Sequence, residues 1–361
     1  MAVTVVHVLG TLDRGGAESR ALELCGAIPR TEIQQRFLLL GDHEGMLAPR
    51  FLAAGATVDR CPLRPWPTFP FRLWWWLRTA RPDVVTSHVS LVSGLVLAVS
   101  SAARVPIRIA HLHSDDDGSR ASTPRRLFRA LLRVLLRRSA TAVVAVTSAA
   151  LTFAAPPPGD HRYRVLPNGV DTRRFPVPDH RAAAHAFVHI GRAAPEKNRA
   201  FLLRVHTEAK RIRPDTRLVL AGPGGVADLR ADLAEPAEHA APDPSVSLLG
   251  DTDRVDEVLA GAGVLLLPSH REGLPGAVLE ALAAGVPVLA TRLPGLSELA
   301  GQLAGITLLP LAAGPRTWAD TALRLAATPA AERDEISAAI RRSPFTLERY
   351  ADTWRHLWTS L

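Results

Sequence analysis

Glu272 and Glu280 stand eight positions apart around the run Gly273-Leu274-Pro275-Gly276. Two carboxylates at such a spacing are first candidates for general acid/base work. Their surroundings point to a different use. The glycines and proline open a helix, and the first N–H groups of a helix have no partner within it, so they can hold phosphate oxygens or sugar hydroxyls. Glu280, on the first turns of that helix, can accept hydrogen bonds from a ribose diol. Glu272, just ahead of the loop, can accept them from sugar hydroxyls. The plainer alternative is a capping glutamate and a coincidence of spacing.

Other residues suit the same anionic chemistry. Arg192 and Lys197 follow Gly191, five positions apart, and two cations there can converge on a diphosphate whose charge grows as it departs. Gly15-Gly16 lies between a β-rich run and a helical pattern, where the missing Cβ atoms let backbone N–H groups approach an anion. Gly222-Pro223-Gly224-Gly225 and Gly250 close two further strands and leave room for a base or phosphate. A tight turn explains each glycine group equally well when it is taken alone. His111 and His113 follow the run Ile107–Ala110 and precede Ser114 and Asp115–Asp117. One of the two histidines is expected to be structural, and the other to face a cleft. A metal reading of His-x-His with aspartate is the minor alternative.

These residues need strands that end where they begin. Val3–Leu9, Phe37–Leu40, Thr57–Cys61, Val84–Thr86, Ile107–Ala110 and Ala142–Val146 read as strands, and Arg125–Arg138 as an arginine-rich helix. A second series has strands at Phe187–Ile190, Leu218–Ala221, Val246–Leu249, Val264–Leu267 and Pro287–Ala290, with helices at Arg199–Lys210 and Pro275–Ala284. Alternating strands and helices predict parallel sheets covered on both faces. The proline-bearing stretch Phe175–Arg181 reads as a linker. Two doubly wound domains are therefore expected, residues 1–177 and 178–343, with ligands at the carboxyl ends of the strands and an active site in the cleft between them. The tail Phe345–Leu361 carries Tyr350, Trp354 and Trp358 on one helical face.

The chain has 361 residues and 47% hydrophobic content, enough for two cores. Of its 43 basic residues only Lys197 and Lys210 are lysine, a bias that fits a GC-rich genome. The net charge of +8 favours anionic partners such as nucleotide-sugars, acidic lipids or nucleic acid. Nucleic-acid binding has little support, because the arginines are scattered over both halves and form no recognised module. Cys25 and Cys61 suggest neither a disulfide framework nor a metal site, and a reducing compartment is the default. Met1–Gly10 lacks a signal-peptide pattern, and the apolar run Leu91–Ala103 is too short to span a bilayer. A cytoplasmic protein is expected. Trp66, Phe69, Phe71 and Trp74–Trp76, beside Arg64, Arg72 and Arg78, form an aromatic patch suited to peripheral membrane contact or to an apolar acceptor.

Taken together the segments resemble the family 4 retaining glycosyltransferases, over nearly the whole chain. The matching motifs are Gly15-Gly16-Ala17-Glu18, Pro167 to Asp171, Gly191-Arg192 with Glu196-Lys197-Asn198, and the most specific one, Pro268-Ser269, Glu272 to Pro275, Glu280-Ala281, Ala283, Gly285 and Pro287-Val288. The resemblance implies a GT-B fold with the last helix, residues 344–361, crossing back to an acceptor-binding first domain, and a second domain that binds the sugar donor. It implies that Gly16 meets the donor diphosphate, that Arg192 and Lys197 neutralise it, and that Glu272 contacts the donor sugar beside Gly273, Leu274 and Pro275. Glu280 would hold the ribose, and His113 matches the family's cleft histidine better than His111. The family acts with retention, usually without a metal and without a cofactor. Ala193-Ala194-Pro195 and the triple tryptophan depart from the pattern, which bears on the local loop and on the acceptor side.

The expected reaction is transfer of a hexose-type sugar from a nucleotide carrier, UDP before GDP, to a hydroxyl of a lipid-linked or polysaccharide precursor or a small natural product such as an aminocyclitol. A sugar-nucleotide epimerase on the same architecture is the alternative, and the full transferase motif argues against it. A basic nucleic-acid-binding protein without catalysis is the remote one.

Overall fold

A computed structural model describes residues 2–114, 122–177, 186–225, 228 and 243–360. The chain forms two compact units, Met1–Gly169 with Leu347–Leu361, and Val170–Thr346. The division falls ahead of the linker stretch expected at Phe175–Arg181, part of which lies outside the described residues. Val170 belongs with the second unit because its N–H donates to Phe345 O at 2.9 Å and it bridges Thr346.

The first unit has seven parallel strands: β1 Val3–Leu9, β2 Ile33–Leu39, β3 Thr57–Arg60, β4 Val84–Ser87, β5 Ile107–Leu112, β6 Ala142–Ala145 and β7 Tyr163–Val165. Their order is β3-β2-β1-β4-β5-β6-β7, so the winding reverses between β1 and β4. That is where a doubly wound sheet leaves a crevice at the carboxyl ends of its strands. The inner strands β4 and β6 are buried along their whole length, as parallel strands covered on both faces must be, whereas the edge strand β3 is not.

The helices Phe69–Ala80, Ser93–Ala102 and Thr123–Ser139 lie in a row. Trp74 Nε1 donates to Ala102 O at 3.4 Å. A Cβ at Gly94 would sit 2.2 Å from Leu132 O, so glycine lets those two helices touch backbone to backbone. The C-terminal helix Leu347–Thr359 buries Tyr350, Trp354 and Trp358 against Val5, Ile109 and Val144 of the first sheet. Trp358 Nε1 donates to Thr86 Oγ1 at 3.1 Å.

The second unit has six parallel strands: β8 Ala186–Ile190, β9 Arg217–Ala221, β10 Val246–Gly250, β11 Val264–Leu267, β12 Val288–Thr291 and β13 Ile306–Leu309. Their order is β10-β9-β8-β11-β12-β13, and the winding reverses between β8 and β11. Its core gathers Phe187, Leu218, Leu220, Val264 and Leu266 around the buried Trp318. The buried Arg333 ties the helix Ala330–Arg342 to this core by donating to the carbonyls of Gly263 at 2.8 Å and Ala326 at 2.9 Å. Among the described residues no helix is long and apolar enough to cross a membrane.

Candidate functional site

In the second unit the loops after β8 and β11, the two strands at the reversal, are stitched together. Pro195–Lys197 forms a single 3-10 turn, and Asn198 takes a left-handed backbone before the helix Arg199–Ile212 begins. That turn brings Lys197 back over the strand ends. Its ammonium donates to Glu272 Oε1 at 2.6 Å, and Ser269 Oγ donates to the same oxygen at 2.7 Å. The pair is largely screened from water, with the Glu272 side chain only 8% exposed. His270 N–H donates to Glu196 O at 2.8 Å, and Asn198 Nδ2 donates to Pro268 O at 3.2 Å. Three bonds therefore fix one loop against the other, and the Ser269–Glu272 bond braces the β11 loop itself.

Arg192 turns away from this pair. It is half exposed and donates to Glu196 Oε1, four residues on in the same loop, at 2.7 Å. Arg192 and Lys197 thus start from the same loop but hold different carboxylates.

Glycines line the next strand ends. Gly222 has φ +122°, in the region that strains any other residue, and a Cβ there would meet Gly191 O at 2.4 Å. Its N–H donates to Gly250 O at 2.7 Å. Gly191, Gly222 and Gly250 therefore sit side by side at the ends of β8, β9 and β10. Beneath them the fully buried Arg199 donates to Gly191 O at 2.5 Å. His189 is buried in β8, where burial pushes its imidazole down to about 3, and it bonds Leu266 O through Nδ1. Gly273, Leu274 and Pro275 lead into the helix Gly276–Ala283, with Leu274 and Pro275 buried. Glu280 lies on that helix one turn further on, half-buried.

In the first unit Gly15 is the N-cap of the helix Gly16–Ala27, in extended conformation. A Cβ on Gly15 would strike Glu18 Oε2, whereas a Cβ on Gly16 would meet nothing within 4 Å among the described residues outside its own helix backbone and chain neighbours. The open space at Gly16 is compatible with close approach of a ligand to its backbone.

The histidines form a larger group than expected. His7, Thr86 and Ile109 are side by side on β1, β4 and β5. Period-two alternation then puts His88, His111 and His113 on the same face. His7 Nδ1 is 3.1 Å from His88 Nε2, and His88 Nδ1 is 3.0 Å from His113 Nε2. His111 does not follow β5 as anticipated. The strand runs on to Leu112, so His111 lies inside it, fully buried, with Trp354 edge-on at 5.0 Å. His113 is the first residue past the strand end. Burial lowers all four imidazoles, His7 to about 3 and His113 to about 4, so the rings are neutral at physiological pH.

His88, His111 and His113 bring ring nitrogens within 4.8 Å of one another, the arrangement of a candidate metal centre. Both nitrogens of His88 are, however, taken up by His7 and His113. The 3.0 Å separation is that of a hydrogen bond, shorter than the roughly 3.3 Å between two nitrogens on one tetrahedral zinc. Asp115–Asp117, the carboxylates of the metal reading, lie outside the described residues. His88, Ser269 and Asn198 were missed as site residues. The signal for His88 was its place just past β4, next to the strand whose end supplies His113.

The aromatic patch divides. Phe69 is buried, and Trp76 lies 5.1 Å beneath the Arg36 guanidinium, while Trp66, Phe71 and Trp75 are exposed.

Comparison with known proteins bears on the family and the fold. Residues 15–169 match the family described as Glycosyl transferase 4-like domain, and residues 184–328 match Glycosyl transferases group 1. The chain is similar to the Bacillus subtilis protein assigned as glycosyltransferase EpsF, with 28% identity over 93% of this chain and 91% of that one. It is also similar to the capsular polysaccharide biosynthesis glycosyltransferase CapH of Staphylococcus aureus, with 24% identity over 90% of each. Among solved structures, Anabaena HepE in complex with UDP and glucose superposes with a TM-score of 0.78 at 18% identity, over 99% of both chains. With two reversing parallel sheets, a two-domain GT-B fold and both family matches, the chain belongs to the group 1 glycosyltransferases and is a transferase enzyme.

Proposed function

We propose that the protein is a retaining hexosyltransferase that takes its sugar from a UDP-sugar and passes it to a hydroxyl of a polysaccharide precursor. The observation that carries this reading is the partly buried Lys197–Glu272–Ser269 group at the reversal of the second sheet, next to the glycine-lined ends of β8, β9 and β10. Such an ammonium is held ready for the charge that builds on a departing diphosphate, and a preorganised cation costs no reorganisation at that moment. Glu272, with one oxygen committed to Lys197 and Ser269, keeps its other oxygen for a sugar hydroxyl. Glu280 is assigned to the ribose, and Arg192, Gly222, Gly250 and Gly273–Pro275 to the rest of the nucleotide-sugar. Gly15, Gly16 and His113 are the first unit's contribution in this reading.

The UDP carrier is supported by HepE, which was solved with UDP and glucose, and the acceptor class by CapH, a capsular polysaccharide enzyme. No metal or cofactor is required in this mechanism. A reducing, cytoplasmic setting suits the two free buried thiols, Cys25 and Cys61.

Incubating the protein with a panel of UDP- and GDP-sugars should show hydrolysis or transfer with a UDP-hexose. Lys197→Ala and Glu272→Gln should each lower that rate about a hundredfold, and Glu280→Ala should weaken nucleotide binding. Activity unchanged by Glu280→Ala would remove the site assignment. Release of an altered nucleotide-sugar with no acceptor present would favour an epimerase.

A further inference from the structure

The helix Thr123–Ser139 turns only a narrow side to the protein, burying Leu132, Leu136 and Ser139. A second apolar stripe runs beside that side. Leu127, Leu131 and Val134, spaced by four and three residues, share one helical face with Phe128 next to them. These side chains face solvent, Leu127 at 69% and Leu131 at 54% exposure. Arg125, Arg126 and Arg138 are exposed on the same helix, which has no acidic residue.

The helix Phe69–Ala80, on the far side of Ser93–Ala102 in the same row, repeats the pattern. Phe71 and Trp75 are exposed, Trp75 at 62%, with Arg78 in its last turn and again no carboxylate. Trp66, in the loop before it, is also exposed. One row of helices thus carries two outward apolar stripes, both edged by arginine. A soluble surface rarely spends this many large side chains on water without a partner.

We infer that this face of the first unit docks on an anionic lipid bilayer, with the Thr123–Ser139 and Phe69–Ala80 helices as its two contacts. Charge selects the occupant. A second copy of the chain would set arginine against arginine, whereas acidic headgroups complement both helices. The side-chain types fit as well. Tryptophan and phenylalanine sit well at the headgroup level, and arginine can lay its stem along apolar surface while its guanidinium reaches phosphate. Leucine and phenylalanine on a short in-plane helix enter the acyl boundary without spanning it. This inference needs no statement about the transferase site, because binding to lipid is measured without turnover.

The test is co-sedimentation of the intact protein with vesicles of mixed phosphatidylglycerol and phosphatidylcholine, against phosphatidylcholine alone, over a range of salt. Binding is expected to the anionic vesicles and to weaken with salt. Leu127→Ser/Phe128→Ser/Leu131→Ser should cut the bound fraction about tenfold, and Arg125→Gln/Arg126→Gln should flatten the salt dependence. All five positions are exposed, so the thermal midpoint and nucleotide-sugar hydrolysis measured without vesicles should stay at wild-type values. Equal binding to neutral vesicles, no binding to either, or a serine variant that binds as wild type would overturn the inference. So would light scattering that shows a wild-type dimer made monomeric by the serine changes.

Discussion

Lys197 and Glu272 are 75 residues apart, and Lys197 meets Glu272 only because one 3-10 turn and one left-handed Asn198 fold the β8 loop back over the strand ends. The histidines show the same dependence on neighbours. A neutral imidazole has one N–H and one lone pair, so the row His7–His88–His113 can carry only two arrangements. In either one, His88 decides whether His113 presents a donor or an acceptor at Nδ1. His88 is thus a positioning residue for His113, the histidine counted into the proposed transferase site. His88→Phe should lower kcat about tenfold with little change in KM for the nucleotide-sugar, and His88→Asn, which restores a hydrogen bond, should recover part of it. Chelation with EDTA should leave the wild-type rate intact. A stoichiometric zinc whose removal abolishes activity would instead make these histidines ligands.

At the scale of elements, two glycine loops do different work. Gly222 is glycine because its own fold demands it: φ is +122° and a Cβ would strike Gly191 O. Gly16 has no such demand, since among the described residues nothing beyond its own helix backbone and chain neighbours lies within 4 Å of a Cβ there. Gly222→Ala should therefore destabilise the second unit by about 2 kcal/mol and weaken nucleotide binding together with it. Gly16→Ala should leave the melting curve unchanged and affect only catalysis. Calorimetry alongside binding titrations separates the two. An equal loss of stability in both variants would show that Gly16 is a structural glycine after all.

For the whole molecule, the buried neutral histidines govern the response to acid. The unfolded chain protonates each near its ordinary value of 6.5, while the folded chain holds His7 and His189 near 3 and His113 near 4. Below about pH 6.5 the unfolded state binds more protons than the folded one. Stability is then present above that pH and lost as pH falls toward the folded values. Each such histidine adds about 1.4 kcal/mol per pH unit to the slope. Denaturant midpoints should be nearly flat in this respect from pH 7 upward and fall steeply from 6.5 to 4. His111→Phe, under Trp354, should make that fall shallower. The same slope in the variant would mean that the His111 ring is protonated in the folded chain.

Much of this architecture was legible in the residues themselves. Parallel strands buried on both faces must be continuous apolar runs, so β1, β8 and β11 could be read nearly end to end. The motif Pro268–Val288 carried its glycines, prolines and glutamates in order, because turn and helix-start chemistry is local. Edges were less legible. β13 is only half-buried along its length, so its signal is weak, whereas the edge strand β10 was readable from Val246 to Leu249. His111 was misplaced because strand ends are set by pairing with β6, which extends the ladder to Leu112. What the sequence by itself determined was the two-sheet class, the loops that bear the chemistry and the family. Tertiary structure alone decided that Lys197 and Ser269 share one glutamate oxygen and that His88 bridges His7 and His113. It also decided which aromatic side chains are left in water. Those outcomes depend on contacts between segments remote in the chain, whose distances no local pattern encodes.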